Sequence, residues 1–379
     1  MRVLALSHVF PRSGDDPSAP FLLTWAQALR DHGLDVAFVA PHDAGLPARH
    51  RVGDVAVRLA RYAPDRWERV AYRGEMHQLV RRVDGPPLVG ALIGALARQV
   101  RAQVRAGQPD VLHVHWWVPG AIAARVASVK VPTIVTVHGT DVALIEGRPR
   151  MAALARWALG AADRVEAVSS DLAERLEQAT GIRADAVNPM PLEGSWLRPV
   201  AVVPRPPGER ARLLGVGRMV PEKGFADLIE AVGLLERPAV LELIGDGPEL
   251  ERLRELAQAR GVRLETPGRM APSELRAAYT RADVVVVPSH REGLGLVAAE
   301  AVLSGTPVVA ADSGGVRDLL PVDLLVPPGD VGALARRLRA TLDDLPRERA
   351  AVAGLAAFIR DRLSPDAAAA RTIAGYGAL

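Results

Sequence analysis

Two segments in the second half of the chain carry charges and glycines at spacings that suit a phosphorylated ligand. Residues 215–224 read Gly-Val-Gly-Arg-Met-Val-Pro-Glu-Lys-Gly and place Arg218 and Lys223 just after an apolar run. Arginine grips phosphate oxygens as a planar fork, and lysine adds a compact charge. Only Lys130 and Lys223 are lysines among 47 basic residues, so a lysine in this loop stands out. Residues 292–300 read Glu-Gly-Leu-Gly-Leu-Val-Ala-Ala-Glu. Gly293 and Gly295, with Leu294 between them, permit a tight turn, and a helix is expected from Leu296 to 304. Its free N–H groups and dipole favour an anion such as a diphosphate. Glu292 then lies in the turn facing the ligand. Glu300 lies about one turn into the helix, where a carboxylate can accept two ribose hydroxyls. Two glutamates eight apart also fit an ordinary helix start, and the cations also fit a solvated loop.

Weaker signals lie in the first half. His138-Gly139-Thr140-Asp141 follows an apolar run, where a histidine can contact a ligand hydroxyl or phosphate. The same residues also read as a polar loop with a Thr140 or Asp141 cap. His113 and His115 alternate, but no third metal ligand is suitably spaced. Ser13-Gly14-Asp15-Asp16 offers a glycine in the first loop and no Asp-x-Asp pair to hold a divalent ion. No metal and no cofactor are expected. Residues 61–73 are basic with interleaved aromatics and fit either peripheral contact with an anionic membrane or a solvated face anchored by a few rings.

The elements that must position these residues follow from alternating patterns. Apolar β-branched runs at 3–7, 36–40, 55–59, 111–114, 133–137 and 164–168 alternate with helical patterns at 21–31, 89–106, 120–127, 152–161 and 171–179. The second half repeats this, with runs at 213–216, 240–244, 263–265, 284–287, 306–309 and 324–326. Helical spacing there falls at 225–235, 249–260, 272–280, 296–304, 329–342 and 347–362. Such alternation predicts parallel sheets covered on both faces, with ligands at the carboxyl ends of the strands. A proline-rich stretch within 191–210 separates the halves. The expected domains are 1–190 and 211–364.

Composition bounds the rest. The chain has 379 residues, suited to two domains. Its net charge of +3 and lack of a long basic run give no nucleic-acid footprint. With no cysteine, disulfides, thiolate metal sites and a cysteine nucleophile are excluded. The first residues are too short an apolar run for a signal peptide, and no run of about 18 apolar residues exists to span a membrane. The expected location is cytoplasmic, with a peripheral seat at the inner membrane face as the variant.

These motifs resemble those of the large retaining GT-B glycosyltransferase family that includes sucrose synthases and bacterial mannosyltransferases, glycosyltransferase family 4 (group 1). The resemblance rests on residues 215–224, Ile-Gly-Asp-Gly-Pro-Glu-Leu at 244–250, the pair Glu292 and Glu300, and Ser-Gly-Thr-Pro-Val-Val-Ala-Ala-Asp-Ser-Gly-Gly at 304–315. Phe10-Pro11, residues 32–36, 138–141 and 162–165 agree in the first half. The chain departs from the family pattern at Ser13-Gly14, at Asn188-Pro189-Met190-Pro191 and at Arg317-Asp318. The resemblance implies a GT-B fold, with two doubly wound Rossmann-like domains facing across a cleft, 1–190 on the acceptor side and 211–364 on the donor side, and a C-terminal helix within 365–379 packing back on the first. It implies transfer of a sugar from a nucleotide-diphosphate donor to an acceptor not identified by the sequence. Arg218 and Lys223 would hold the diphosphate, Glu300 the ribose and Glu292 the sugar hydroxyls. His138 would approach the transferred sugar, Gly14 the donor phosphate and Arg269 the base. Two rivals share the fold: an epimerase or phosphorylase, and a non-catalytic nucleotide-sugar-binding protein. The lack of a spare lysine for pyridoxal phosphate disfavours the phosphorylase, and the intact Arg218, Lys223 and Glu292 disfavour the last.

Overall fold

The computed structural model describes residues 1–16, 18–72, 85–198, 200–201 and 209–379. Arg73, and Pro199, Pro204, Pro206, Pro207 and Gly208 of the proline-rich stretch, lie outside the described residues. The chain divides into two units, Met1–Glu193 with Pro365–Leu379, and Gly194–Ser364.

The first unit is built on a sheet of strands β1 (Arg2–Leu6), β2 (Asp35–Pro41), β3 (Arg49–Val52), β4 (Val55–Ala60), β5 (Val111–His115), β6 (Thr133–Val137), β7 (Arg164–Ala167) and β8 (Ala186–Val187). Their order is β3-β4-β2-β1-β5-β6-β7-β8, parallel except for the β3–β4 pair. The central strands are short apolar runs buried on both faces, as a sheet covered by helices requires. The order reverses between β1 and β5, so the loops after these strands flank a switch point. Gly14 lies in the loop after β1, and His138 follows β6.

Helix α1 (Pro20–Asp31) starts on a proline and buries Leu22, Trp25 and Leu29. Helices α2 (Gly85–Gly107), α3 (Ile122–Ala127), α4 (Pro149–Leu159) and α5 (Ser170–Thr180) complete the alternation. A last helix, α12 (Pro365–Gly377), packs against α1, where the Trp25 indole N–H donates to Thr372 Oγ1 at 3.1 Å. The side-chain amide of Asn188 donates to the same hydroxyl at 3.3 Å, and Arg371 donates to Asn188 Oδ1 at 3.2 Å.

The second unit holds β9 (Ala211–Val216), β10 (Ala239–Ile244), β11 (Arg263–Gly268), β12 (Val284–Val287), β13 (Val308–Ala311) and β14 (Leu325–Val326), in the order β11-β10-β9-β12-β13-β14, all parallel. Helices α6 (Phe225–Gly233), α7 (Leu250–Ala259), α8 (Pro272–Arg281), α9 (Leu296–Leu303), α10 (Val331–Asp343) and α11 (Leu345–Leu363) cover it. Leu213, Leu228, Ile229, Leu243, Val286 and Leu338 lie in one buried core. Here the order reverses between β9 and β12. The loops leaving these strands contain Arg218 with Lys223, and Glu292 with Gly293.

Strands β3 and β8 escape the alternation pattern for physical reasons. β3 reads Arg-His-Arg-Val and is a half-exposed antiparallel edge, while β8 is only two residues long. Helix α12 begins at the first turn after Ser364, with proline in the N1 position where its missing N–H costs nothing.

Candidate functional site

Glycine lets the loops after β9 and β12 touch. Gly224 has φ 65°, and a Cβ there would lie 2.1 Å from the Pro288 carbonyl oxygen. Only glycine can both adopt the left-handed backbone and tolerate that approach. The N–H of His290 then donates to the Glu222 carbonyl at 2.9 Å, stitching the loops together. A second close approach holds the Glu292 turn from behind. A Cβ on Gly314, whose φ is 59°, would fall 1.8 Å from the Glu292 carbonyl oxygen. Next to it, Ser313 Oγ donates to the Ser289 carbonyl at 2.6 Å.

This stitching brings Lys223 and Glu292 into direct contact. Lys223 Nζ donates to Glu292 Oε2 at 2.7 Å, and Ser289 Oγ donates to the same oxygen at 3.1 Å. The other oxygen, Oε1, accepts the Gly293 N–H at 3.3 Å. Sequence alone put the lysine on phosphate and the glutamate on sugar, in separate loops. The structure joins them as one ion pair, with the lysine and glutamate side chains 22% and 14% exposed. A ligand that engages both must divide them. Arg218 is exposed and makes no side-chain hydrogen bond or ion pair among the described residues, so its guanidinium is open to a ligand.

Leu294 is buried and pins the turn, and Gly295, with φ 87°, precedes the first residue of α9. The N–H groups at the start of α9 therefore open next to the Lys223–Glu292 pair. Glu300 is the fifth residue of this helix. It is half-buried, and burial raises its pKa to about 7, although the Tyr279 hydroxyl pulls it down by donating to Oε2 at 2.6 Å. Tyr279, fully buried at the end of α8, thereby joins the candidate site, and motif spacing misses it. The signal for it is general: a tyrosine on a buried helix face needs a partner for its hydroxyl. Trp196 packs edge-on against its ring at 5.3 Å. Arg269 is exposed just beyond the end of β11, and Gly268 before it has φ 87°.

His138 and Gly14 belong to the first unit. The His138 Nε2 and His115 Nδ1 share a hydrogen bond at 3.1 Å, and the His138 ring stacks on Trp116 at 4.1 Å. Burial, then the neighbouring His113 and His8, push its pKa well down, so the ring is neutral. Its loop is held by Asp141, which is 1% exposed. One Asp141 oxygen accepts the N–H groups of His138, Gly139 and Val142 at 3.0, 2.9 and 3.1 Å, and the other accepts that of Trp117 at 3.1 Å. Asp141 thus organises this loop rather than capping a regular helix. Gly14 is exposed, with open space where a Cβ would sit.

His113 has both ring nitrogens engaged, with the Tyr376 hydroxyl and Thr136 Oγ1 each at 2.9 Å, so it is not a free metal ligand. Among the described residues, His42, Asp65 and Glu68 form the one group of suitable donors close enough for a metal. Arg61 already brings a positive charge there, 2.6 Å from Asp65 Oδ1 and 3.3 Å from His42 Nε2. Along 61–72, Tyr62 is buried, Tyr72 donates its hydroxyl to the Pro41 carbonyl at 3.0 Å, and Trp67 is exposed. Among the described residues no helix is long and apolar enough to cross a membrane.

Residues 202–354 match the family model described as Glycosyl transferases group 1, and residues 19–191 match that of Glycosyltransferase Family 4. The chain is 31% identical over 386 residues to the 2-deoxystreptamine N-acetyl-D-glucosaminyltransferase of Streptomyces fradiae, covering 91% of this chain and 87% of that protein. Its fold is similar to that of sucrose-phosphate synthase from Thermosynechococcus elongatus, with a TM-score of 0.82 at 20% identity over 100% of this chain and 99% of the other. HepE of Anabaena, in complex with UDP-glucose, gives a TM-score of 0.74 at 19% identity over 100% of both chains.

Proposed function

Because the chain belongs to the group 1 glycosyl transferases of glycosyltransferase family 4 and has the GT-B fold, we propose that it moves a sugar from a nucleotide-diphosphate donor to an acceptor hydroxyl with retention at the anomeric carbon. The observation that carries this reading is the Lys223–Glu292 pair at the switch point of the second unit, beside the N-terminus of α9. Breaking the bond from the anomeric carbon to the phosphate oxygen leaves negative charge on the diphosphate and positive charge on the sugar. Lys223, Arg218 and the N–H groups from Gly293 to Leu296 meet the first, and Glu292 meets the sugar hydroxyls nearest the second. One such preorganised donor is worth about 3 kcal/mol of barrier. The departing phosphate oxygen takes the acceptor's proton as the acceptor oxygen bonds to the same face of the sugar. No carboxylate is needed as a covalent nucleophile.

On this reading Glu300 accepts the ribose hydroxyls and Arg269 faces the base. Arg218, Lys223 and the helix N-terminus neutralise the diphosphate, so no metal is required. The acceptor is a polysaccharide, a lipid-linked glycan or a small natural product. The test is thermal unfolding with nucleoside diphosphates in the presence of a chelator. A ligand at about 100 times its dissociation constant adds roughly 2.7 kcal/mol of stability. Protection that needs a divalent ion would overturn the metal-free reading, and no protection by any nucleotide would overturn the donor site.

A further inference from the structure

The chain as a whole is almost electrically balanced, with 47 basic and 44 acidic residues. One face of the first unit is not. Helices α2, α3 and α4 contain no aspartate or glutamate, yet they hold Arg98, Arg101, Arg105, Arg125, Arg150 and Arg156. The acids in the segments joining these helices are Asp110, Asp141 and Glu146. Each is committed elsewhere. Asp110 accepts the Arg2 N–H at 2.7 Å, Asp141 is buried in its loop, and Glu146 pairs with Arg175 at 2.6 Å.

The same helices expose apolar side chains. Trp157 is 42% exposed, Val126 40% and Leu154 37%. They adjoin one another through the arginines. Arg125 lies over the Trp157 ring at 4.5 Å and donates to the Trp157 carbonyl, while Arg101 donates to the carbonyls of Val126 and Ala127. Along α4, Arg150, Leu154 and Trp157 are spaced four and three apart, so they share one face. The opposite face, Ala152, Ala155, Ala158 and Leu159, is buried against the unit. Trp157 and Leu154 thus keep part of their apolar surface in solvent, and helices α2, α3 and α4 offer the arginines around them no carboxylate partner.

We propose that this face rests on an anionic lipid bilayer. Trp157 and Leu154 would enter the headgroup boundary, and the surrounding arginines would meet lipid phosphates. The charge decides the occupant. An exposed apolar patch alone fits any partner, but one set among arginines, on helices that themselves carry no carboxylate, complements a negative surface. The tryptophan is the side chain suited to such an interface, with an apolar body and a polar N–H. The surface is distinct from the 61–72 segment, in which Tyr62 and Tyr72 turn inwards.

Co-sedimentation of the full chain with vesicles tests the proposal. One vesicle set holds 30 mol% phosphatidylglycerol in phosphatidylcholine, and the other holds phosphatidylcholine alone. The expected result is at least tenfold tighter binding to the anionic set, weakening as salt rises. The variant Leu154→Ser/Trp157→Ser should lower that binding at least tenfold, and Arg150→Glu/Arg156→Glu should do the same by charge alone. Both pairs are exposed, and an unchanged unfolding midpoint shows that each variant is folded. Trp67→Ser is the control and should bind as the wild type does. The proposal is overturned by an absence of binding at low salt, by binding that both double variants retain, or by binding that only Trp67→Ser abolishes. A concentration-dependent dimer lost in the same variants, without vesicle binding, would assign the face to a second copy of the chain and overturn the lipid assignment.

Discussion

Tyr279→Phe removes one hydroxyl and leaves the ring that packs on Trp196. That hydroxyl donates to Glu300 Oε2 at 2.6 Å, and burial has already raised Glu300 to about 7. The raised value means that the empty site holds the acid about half protonated at pH 7, while ribose hydroxyls call for the carboxylate as acceptor. Nucleotide binding should therefore release a proton, and affinity should rise as pH climbs through 7. A hydrogen bond to a charged group is worth about 1.5–3 kcal/mol, so its loss raises the Glu300 pKa by at least about one unit. At pH 7 the ionised fraction would fall from roughly half to roughly a tenth. The affinity for a nucleoside diphosphate would then fall about fivefold at pH 7 and recover almost fully at pH 9. Calorimetry from pH 6 to 9 in two buffers of different ionisation enthalpy measures both the affinity and the proton release. An equal loss at pH 7 and pH 9 would mean that Tyr279 acts by packing alone, and no loss at either pH would remove it from the site.

Further outcomes follow from the same geometry. Glu300→Gln should weaken binding of both the donor and the free nucleotide. Glu292→Gln should lower kcat without weakening free nucleotide binding, because the free nucleotide has no sugar to touch and the loss of the carboxylate charge releases Lys223 from its ion pair; weakening equal to that of Glu300→Gln in calorimetry would refute the division. Gly314→Ala forces a Cβ against the Glu292 carbonyl at a positive φ, so it should cost about 1–3 kcal/mol of stability and most of the transfer rate; wild-type turnover would show that the turn can move. Buried His113 and half-buried His8 have pKa values lowered to about 3 and about 4 by desolvation. Their folded values lie below the unfolded 6.5, so the stability they contribute is complete above pH 6.5 and is lost as pH falls towards 4. The thermal midpoint should drop across that window, and a flat profile from pH 7 to 4.5 would contradict the burial argument.

The parallel architecture was legible because both sheets repeat the same unit, a short β-branched run followed by a helical pattern. Val284–Val287 and Phe225–Gly233 are unmistakable local signals. What local pattern cannot carry is partnership across long separations. Lys223 and Glu292 are 69 residues apart, and Tyr279 and Glu300 are separated by an entire strand and turn. The glycines at 224 and 314 read as turn formers in the sequence. Their second task, admitting a carbonyl oxygen from another loop, depends on where that loop lies. Edge strand β3 was hidden for the opposite reason, since a charged edge has no apolar alternation to announce it.

The placement of α12 has a consequence for synthesis on the ribosome. The first unit lacks this helix until residues 365–379 have emerged, although 193 residues of it precede the second unit. Until then the Trp25 indole, the Asn188 amide and one nitrogen of His113 lack the partners that Thr372 and Tyr376 supply. The second unit is continuous in sequence and can close first. The half of the molecule made earliest is thus the half completed last. A C-terminal truncation or a premature stop would leave its defect near the beginning of the chain, and limited proteolysis should find the new cleavage sites there.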